Sequence, residues 1–184
     1  MVTIMATAKL QTGSQCQHVH TGAPEHGLAL IVIGERDKRG ESVASHLCDA
    51  LSPAVLENVC RFDLEQYTGN LKGCLGGHKA AIIVDSRDHA IGPGTIMISD
   101  LNSVLMMNNP HSGVPYYSEL ISEIRQSGIS RPQAQSVILF EIGIGKGSEQ
   151  HNIISNVEKN IPALASRLSG LISTVLQTLK RSNK

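Results

Sequence analysis

The sequence predicts an α/β fold: a three-layer sandwich built on a mostly parallel, twisted sheet of about five strands, with helices on both faces. Three observations carry this prediction. The runs Leu28–Ile33, Ala80–Val84 and Ser136–Ile142 are short and dominated by apolar residues, the mark of strands covered on both sides. Segments of helical periodicity lie between such runs, so strand and helix alternate along the chain. A long amphipathic segment ends the pattern, with Leu164, Leu168, Leu171, Val175 and Leu179 recurring at spacings of three and four.

Taken in order, residues 1–26 are rich in Thr, Gln, Ser, Gly and His and keep no period, so they read as a flexible extension. Cys16, His18, His20 and His26 lie there, but nothing in the extension fixes a metal geometry, and a solvated tail is the simpler reading. From 27 to 184 the chain reads as a single domain. Leu28–Ile33 is the first strand. A helix from about Arg39 to Leu51 puts Val43, Leu47 and Leu51 on one face, and Pro53 stands beyond its end. Val55–Phe62 reads as the second strand, and Tyr67–Leu75 as a short helix stopped by Gly76 and Gly77. Ala80–Val84 is the third strand, with Asp85 closing it.

The turn signal Ile91-Gly92-Pro93-Gly94 then leads into a strand over Thr95–Ser99, expected at an edge or antiparallel because only a turn separates it from Asp85. Val114–Gln126 has a helical face of Tyr117, Leu120, Ile121 and Ile124. Ser136–Ile142 is a strand followed by the glycine-rich stretch Gly143–Gly147, and the last helix starts at Val157 or Pro162 and runs to Lys180.

Composition narrows the function classes. With 184 residues the chain can bury a core without staples, and with aromatics at 3% that core must rest on Ile, Leu, Val and Ala. Sixteen basic residues balance 16 acidic ones, and no basic cluster offers a surface for nucleic acid. The four cysteines Cys16, Cys48, Cys60 and Cys74 form no CxxC pair and read as buried thiols of a reducing compartment. No apolar run is long enough for a membrane span, and the N-terminus lacks a signal-peptide core. A cytoplasmic, soluble protein is the expectation.

Three residues stand out chemically. A carboxylate at the end of a buried strand lies where open α/β sheets build their sites, so Asp85 is a candidate ligand; a turn cap or a partner for Arg87 is the plainer alternative. Glu41 falls at the first turn of the helix after the first strand, where a helix-favoured acid with no further duty is equally natural. His111 follows Pro110 before a helix, a position that favours the neutral imidazole a metal requires. Glu, Asp and His together suit a divalent ion with room for water or a substrate group. Gly143–Gly147 lacks the spacing of a phosphate loop and reads as a connection. Met97, Met106 and Met107 read as packing residues.

Three segments resemble the maturation endopeptidases of nickel-iron hydrogenases. Members show G-N-x-L-x-x-D-[DE]-G after the first strand, later a strand ending in D-A-x-D-x-G-x-x-P-G-T, and then a serine- or proline-histidine before a helix. The corresponding segments here are Gly34 to Glu41, Asp85 to Thr95 with its Gly92-Pro93-Gly94-Thr95, and Asn109-Pro110-His111. The likeness spans about Leu28 to Leu179. The second segment is the most specific. In the first, Glu35 replaces Asn, Gly40 replaces the first acid and Ser42 replaces the closing Gly, while Gly34 and Glu41 persist. Asp63 stands where members carry Asp before two glycines, but Leu64-Glu65 replaces those glycines.

The resemblance implies a metal site of Glu41, Asp85 and His111, which would also be the catalytic residues. It implies nickel as the metal, presented by the substrate. The substrate would be the hydrogenase large-subunit precursor, from which a C-terminal peptide is removed, with assembly chaperones as further partners and a monomeric enzyme. Two other readings stay open: a non-proteolytic relative that holds metal or docks the precursor, suggested by the altered first motif, and a flavodoxin-like domain using Gly143–Gly147 for an anion.

Overall fold

The computed structural model describes residues 27–34, 42–64, 71–87, 92–107, 120, 122, 136–144 and 156–182. Five strands form one sheet: β1 (Leu28–Ile33), β2 (Cys60–Leu64), β3 (Ala80–Arg87), β4 (Ile96–Asp100) and β5 (Val137–Gly143). Their order is β2-β1-β3-β5-β4. The first four in that order run parallel, and β4 pairs antiparallel with β5 at the edge. Both expectations for the Thr95–Ser99 strand are met, with the strand itself one residue later.

Every residue of β1 is buried, as an unalternating apolar run demands. Even-numbered positions such as Leu30, Ile82, Val84 and Phe140 face one side, against Val43 and Leu47 of α1 (Ser42–Asp49) and Leu164, Leu168 and Ile172 of α5 (Ile161–Ser182). Odd-numbered positions such as Ile31, Ile83 and Leu139 face the other, against α3 (Leu71–Leu75), α4 (Leu101–Met107) and Leu120. The sandwich therefore has its two separate cores, one per face. Leu171, Val175 and Leu179 of the predicted stripe pack at the margin of the first core.

The expected strand over Val55–Phe62 is corrected. Its start is the one-turn helix α2 (Pro53–Leu56), and β2 begins only at Cys60. Ser52 holds an extended conformation, and its carbonyl accepts from the N–H groups of Val55 at 2.9 Å and Leu56 at 3.1 Å. Pro53, preset for a first helical turn and lacking an N–H, outweighs the β preference of Val55.

The third strand is longer than expected. It continues through Asp85, Ser86 and Arg87, because β5 offers Glu141, Ile142 and Gly143 as register partners. Asp85 thus lies inside the strand rather than closing it. Helix α4 had no counterpart among the predicted elements; Asp100 caps it, its Oδ1 accepting from the Ser103 N–H at 2.8 Å. Of the predicted helix Val114–Gln126, Leu120 and Ser122 are described, and both are helical. The extension 1–26 and the first residues of the predicted Tyr67–Leu75 helix lie outside the described residues. Among the described residues no helix is long and apolar enough to cross a membrane.

Candidate functional site

The strand order dictates where a site can form. From β1 the chain passes over the α1 face to β2, whereas between β3 and β5 it passes over the opposite face, where α4 and Leu120 pack. Adjacent strands whose connections leave to opposite sides open a crevice at their carboxyl ends. Here those strands are β1 and β3, paired from Leu28↔Ala80 to Val32↔Val84. Asp85 is one position beyond that pairing. Gly34, just past β1, has φ 137°, a conformation L side chains rarely adopt, and its N–H donates to the Leu64 carbonyl at 2.9 Å.

Because β4 is antiparallel, its start reaches the same edge. The preceding segment is a type II turn: Pro93 takes the second position, Gly94 has φ 74°, and the Thr95 N–H donates to the Gly92 carbonyl at 3.0 Å. Gly94 then donates to the Gly143 carbonyl at 2.8 Å and Gly143 donates back to Thr95 at 2.9 Å. The Pro-Gly-Thr part of the second motif is thereby stitched to β5 beside Asp85.

On the odd-numbered face of this edge sits a buried ionic group. Asp85 and Glu141 are register partners on β3 and β5, and neighbouring strands lie about 4.8 Å apart, so the two carboxylates stand side by side. Arg87, two residues along β3, shares their face. Its Nε donates to Asp85 Oδ2 in a short hydrogen bond, and the same Nε lies 3.8 Å from Glu141 Oε1. The Asp85 and Glu141 side chains are only 9% and 2% exposed. Carboxylates this deep persist only when paired, and one guanidinium serves both.

A second arginine cluster flanks the sheet. Arg61 of β2 reaches Asp49 at the end of α1 (2.7 Å) and Asp63 on its own strand (3.0 Å). Burial works against the Arg61 charge, but the Asp63 and Asp49 carboxylates outweigh it and raise its pKa. Nearby, burial pushes the Cys48 thiol up to about 12, so Cys48 is a neutral core group and no nucleophile. Cys74 is buried as well, and Cys48, Cys60 and Cys74 are all free thiols.

Of the three residues singled out in the sequence, Asp85 is described and sits at the crevice. Glu41, which immediately precedes α1, and His111 lie outside the described residues. Among the described residues no group of three or more His, Cys, Asp or Glu side chains is placed to hold a metal ion. The acids at this edge, Asp85 and Glu141, already share an internal cation; by themselves they are a salt-bridged pair rather than a resident metal site.

Sequence reasoning missed Glu141 and the depth of Arg87. The available signal was an acid within Leu139-Phe140-Glu141-Ile142: a strand covered on both faces cannot hold a carboxylate without a basic partner across the sheet. The glycine-rich stretch also differs from a loose connection at its start, since Gly143 ends β5 and the Ile144 N–H donates to the Arg87 carbonyl at 2.8 Å. These two N–H groups are engaged within the sheet. Residues 145–147 lie outside the described residues.

No protein-family model matches the sequence, and no curated protein matches it. Among solved structures, the chain is similar to the NiFe hydrogenase maturation protease HycI from Thermococcus kodakarensis KOD1, at 16% identity over 82% of this chain and 92% of that one, with a TM-score of 0.48. It is also similar to the hydrogenase maturating endopeptidase HybD from E. coli, at 18% identity over 78% and 93% of the two chains, with a TM-score of 0.45. A second Thermococcus kodakarensis protein, the NiFe hydrogenase maturation protease HybD, is 9% identical over 75% and 98%, with a TM-score of 0.43.

Proposed function

We propose that this protein is an endopeptidase of hydrogenase maturation that removes a C-terminal peptide from the nickel-loaded large-subunit precursor. The observation that supports this most is the placement of the second motif. Its acid, Asp85, lies at the β1/β3 crevice, and its Gly92-Pro93-Gly94-Thr95 turn is bonded to β5 at the same edge. In this reading nickel arrives as part of the substrate, and Glu41, Asp85 and His111 complete its coordination. Glu41 and Asp85 contribute negative charge, and His111 contributes a borderline nitrogen. A precursor without nickel lacks that binding energy and is spared, which makes metal loading the condition for cleavage. The enzyme works as a cytoplasmic monomer alongside assembly chaperones.

Incubating purified protein with nickel-loaded precursor and weighing the large subunit tests the reading. The expected result is loss of a C-terminal fragment with the unaltered protein and an intact mass with Glu41→Gln, Asp85→Asn or His111→Ala, each variant keeping its circular dichroism spectrum. Normal cleavage by any of the three removes that residue from the site. A second reading, a precursor-docking protein without peptidase activity, is favoured by Glu35 and Gly40 in the first motif. It predicts a stable complex with the precursor and no mass loss at all.

A further inference from the structure

We propose that Arg87 is a built-in cation that Asp85 must release before it can take a substrate-borne metal ion, and that Glu141 is the carboxylate that receives it. The inference rests on the reading of Asp85 as a metal-recognising residue and adds two positioning residues to it. Arg87 Nε donates to Asp85 Oδ2, so one carboxylate oxygen of the central acid is claimed by a positive group. A guanidinium does not deprotonate in a protein, so it cannot step aside as a neutral group. An incoming cation would meet like charge at Asp85 unless Arg87 moved.

Glu141 makes that movement possible without stranding a buried charge. It is the register partner of Asp85, its side chain is 2% exposed, and its Oε1 is 3.8 Å from the same Nε. Closing that gap by about 1 Å reaches the range of a charge-assisted hydrogen bond. Arg87 would pivot from its neighbour on β3 to its neighbour on β5, leaving Asp85 to the metal while every buried charge keeps a partner. A barren structural triad would need only one acid to neutralise one arginine. The second acid, placed across the strand pair and held in reserve, is what a transfer requires. The consequence is discrimination: free metal ion must compete with an intramolecular cation, whereas metal delivered by a bound precursor has the contacts of the whole precursor to help displace it.

Mn2+ is the probe of choice, because a hard ion favours carboxylates over the histidines of residues 1–26. Titration of the full chain with Mn2+, followed by electron paramagnetic resonance without any precursor, reads the competition directly. Arg87→Gln is expected to bind Mn2+ at least ~10-fold tighter than the unaltered protein, since two adjacent carboxylates lose their shared cation. Glu141→Gln is expected to bind more weakly than the unaltered protein, because Arg87 then has nowhere to go. Adding Asp85→Asn to Arg87→Gln should abolish the gain. Arg87→Gln binding no tighter than the unaltered protein, or a gain that survives Asp85→Asn, overturns the proposal. Should Arg87→Gln fail to fold, Arg87→Lys keeps the charge without the planar fork; it is expected to tighten Mn2+ by a smaller factor, and unchanged affinity overturns the proposal equally. A purely structural Arg87 would alter the unfolding temperature without raising Mn2+ affinity. Because no precursor is used, failure of the peptidase reading shows in the mass assay and failure of this one in the titration.

Discussion

Arg61 and Arg87 each bridge two acids, one on their own strand and one from a neighbouring element, yet the two clusters differ in what surrounds the acids. The arginine side chains are similarly covered, at 15% and 18% exposed. The partners of Arg61 remain in contact with water, with Asp49 at 45% and Asp63 at 34%, whereas those of Arg87 are 9% and 2% exposed. Arg61 ties the end of α1 to the outer strand β2, and water can take over from it. Arg87 holds two carboxylates in the interior of the molecule beside the crevice, where nothing but a cation can replace it. An arrangement that costly to desolvate is poor evidence for stability; its place at the topological switch point argues for chemistry instead.

The largest expected effect follows directly. Arg87→Gln should lower the unfolding free energy by about 3–5 kcal/mol, the usual loss when one partner of a buried ionic group is removed. Arg61→Gln, leaving acids that water can solvate, should lose about 1 kcal/mol or less. Urea denaturation of both variants beside the unaltered protein measures the pair. Equal losses would erase the distinction between the clusters.

Salt sharpens the same contrast at a smaller scale. At 1 M ionic strength the Debye length falls to about 3 Å, so the exposed acids around Arg61 are screened and the interior pair is not. The stability gap between the unaltered protein and Arg61→Gln should therefore shrink toward zero between low and high NaCl, while the gap for Arg87→Gln stays within measurement error. A salt-sensitive Arg87 gap would mean that water reaches Asp85 and Glu141.

Much of this architecture was legible in the amino-acid order because burial on both faces leaves a plain signature. Leu28–Ile33 and the final amphipathic helix could be read directly, and the Pro93-Gly94 turn correctly placed β4 beside the parallel strands as an antiparallel edge. What failed was local competition. Val55 is a good strand residue, but Pro53 behind an extended Ser52 starts a helical turn first. Of the site, Asp85 was legible because a strand-end acid is unusual. Its partners were not, for reasons that are physical rather than accidental. Arg87 looked like a turn residue because the length of β3 is set by the register of β5, which a single segment does not reveal. Glu141 was hidden within a run whose other residues are apolar, and its meaning depends on Arg87, far away along the chain. Pairwise sheet register is the information that local pattern lacks.

Asp100 gives the smallest effect and tests the comparison from its exposed end, since its partners are neutral rather than cationic. The Ser103 hydroxyl and then the Ser103 backbone N–H donate to its carboxylate at the start of α4 and hold its pKa below the ordinary carboxylate range. A carboxyl group whose pKa is lower folded than unfolded stabilises the fold above the unfolded value and loses that contribution as pH falls through the folded value. The contribution is thus fully present at neutral pH and fades below about pH 4. Asp100→Asn keeps a capping oxygen but cannot titrate. The urea midpoint of the variant should lie slightly below that of the unaltered protein at pH 7, and the two should converge near pH 2. A difference that persists undiminished into acid would assign the stabilisation to cap geometry alone, leaving charge as a deciding influence only where, as at Asp85 and Glu141, water is kept away.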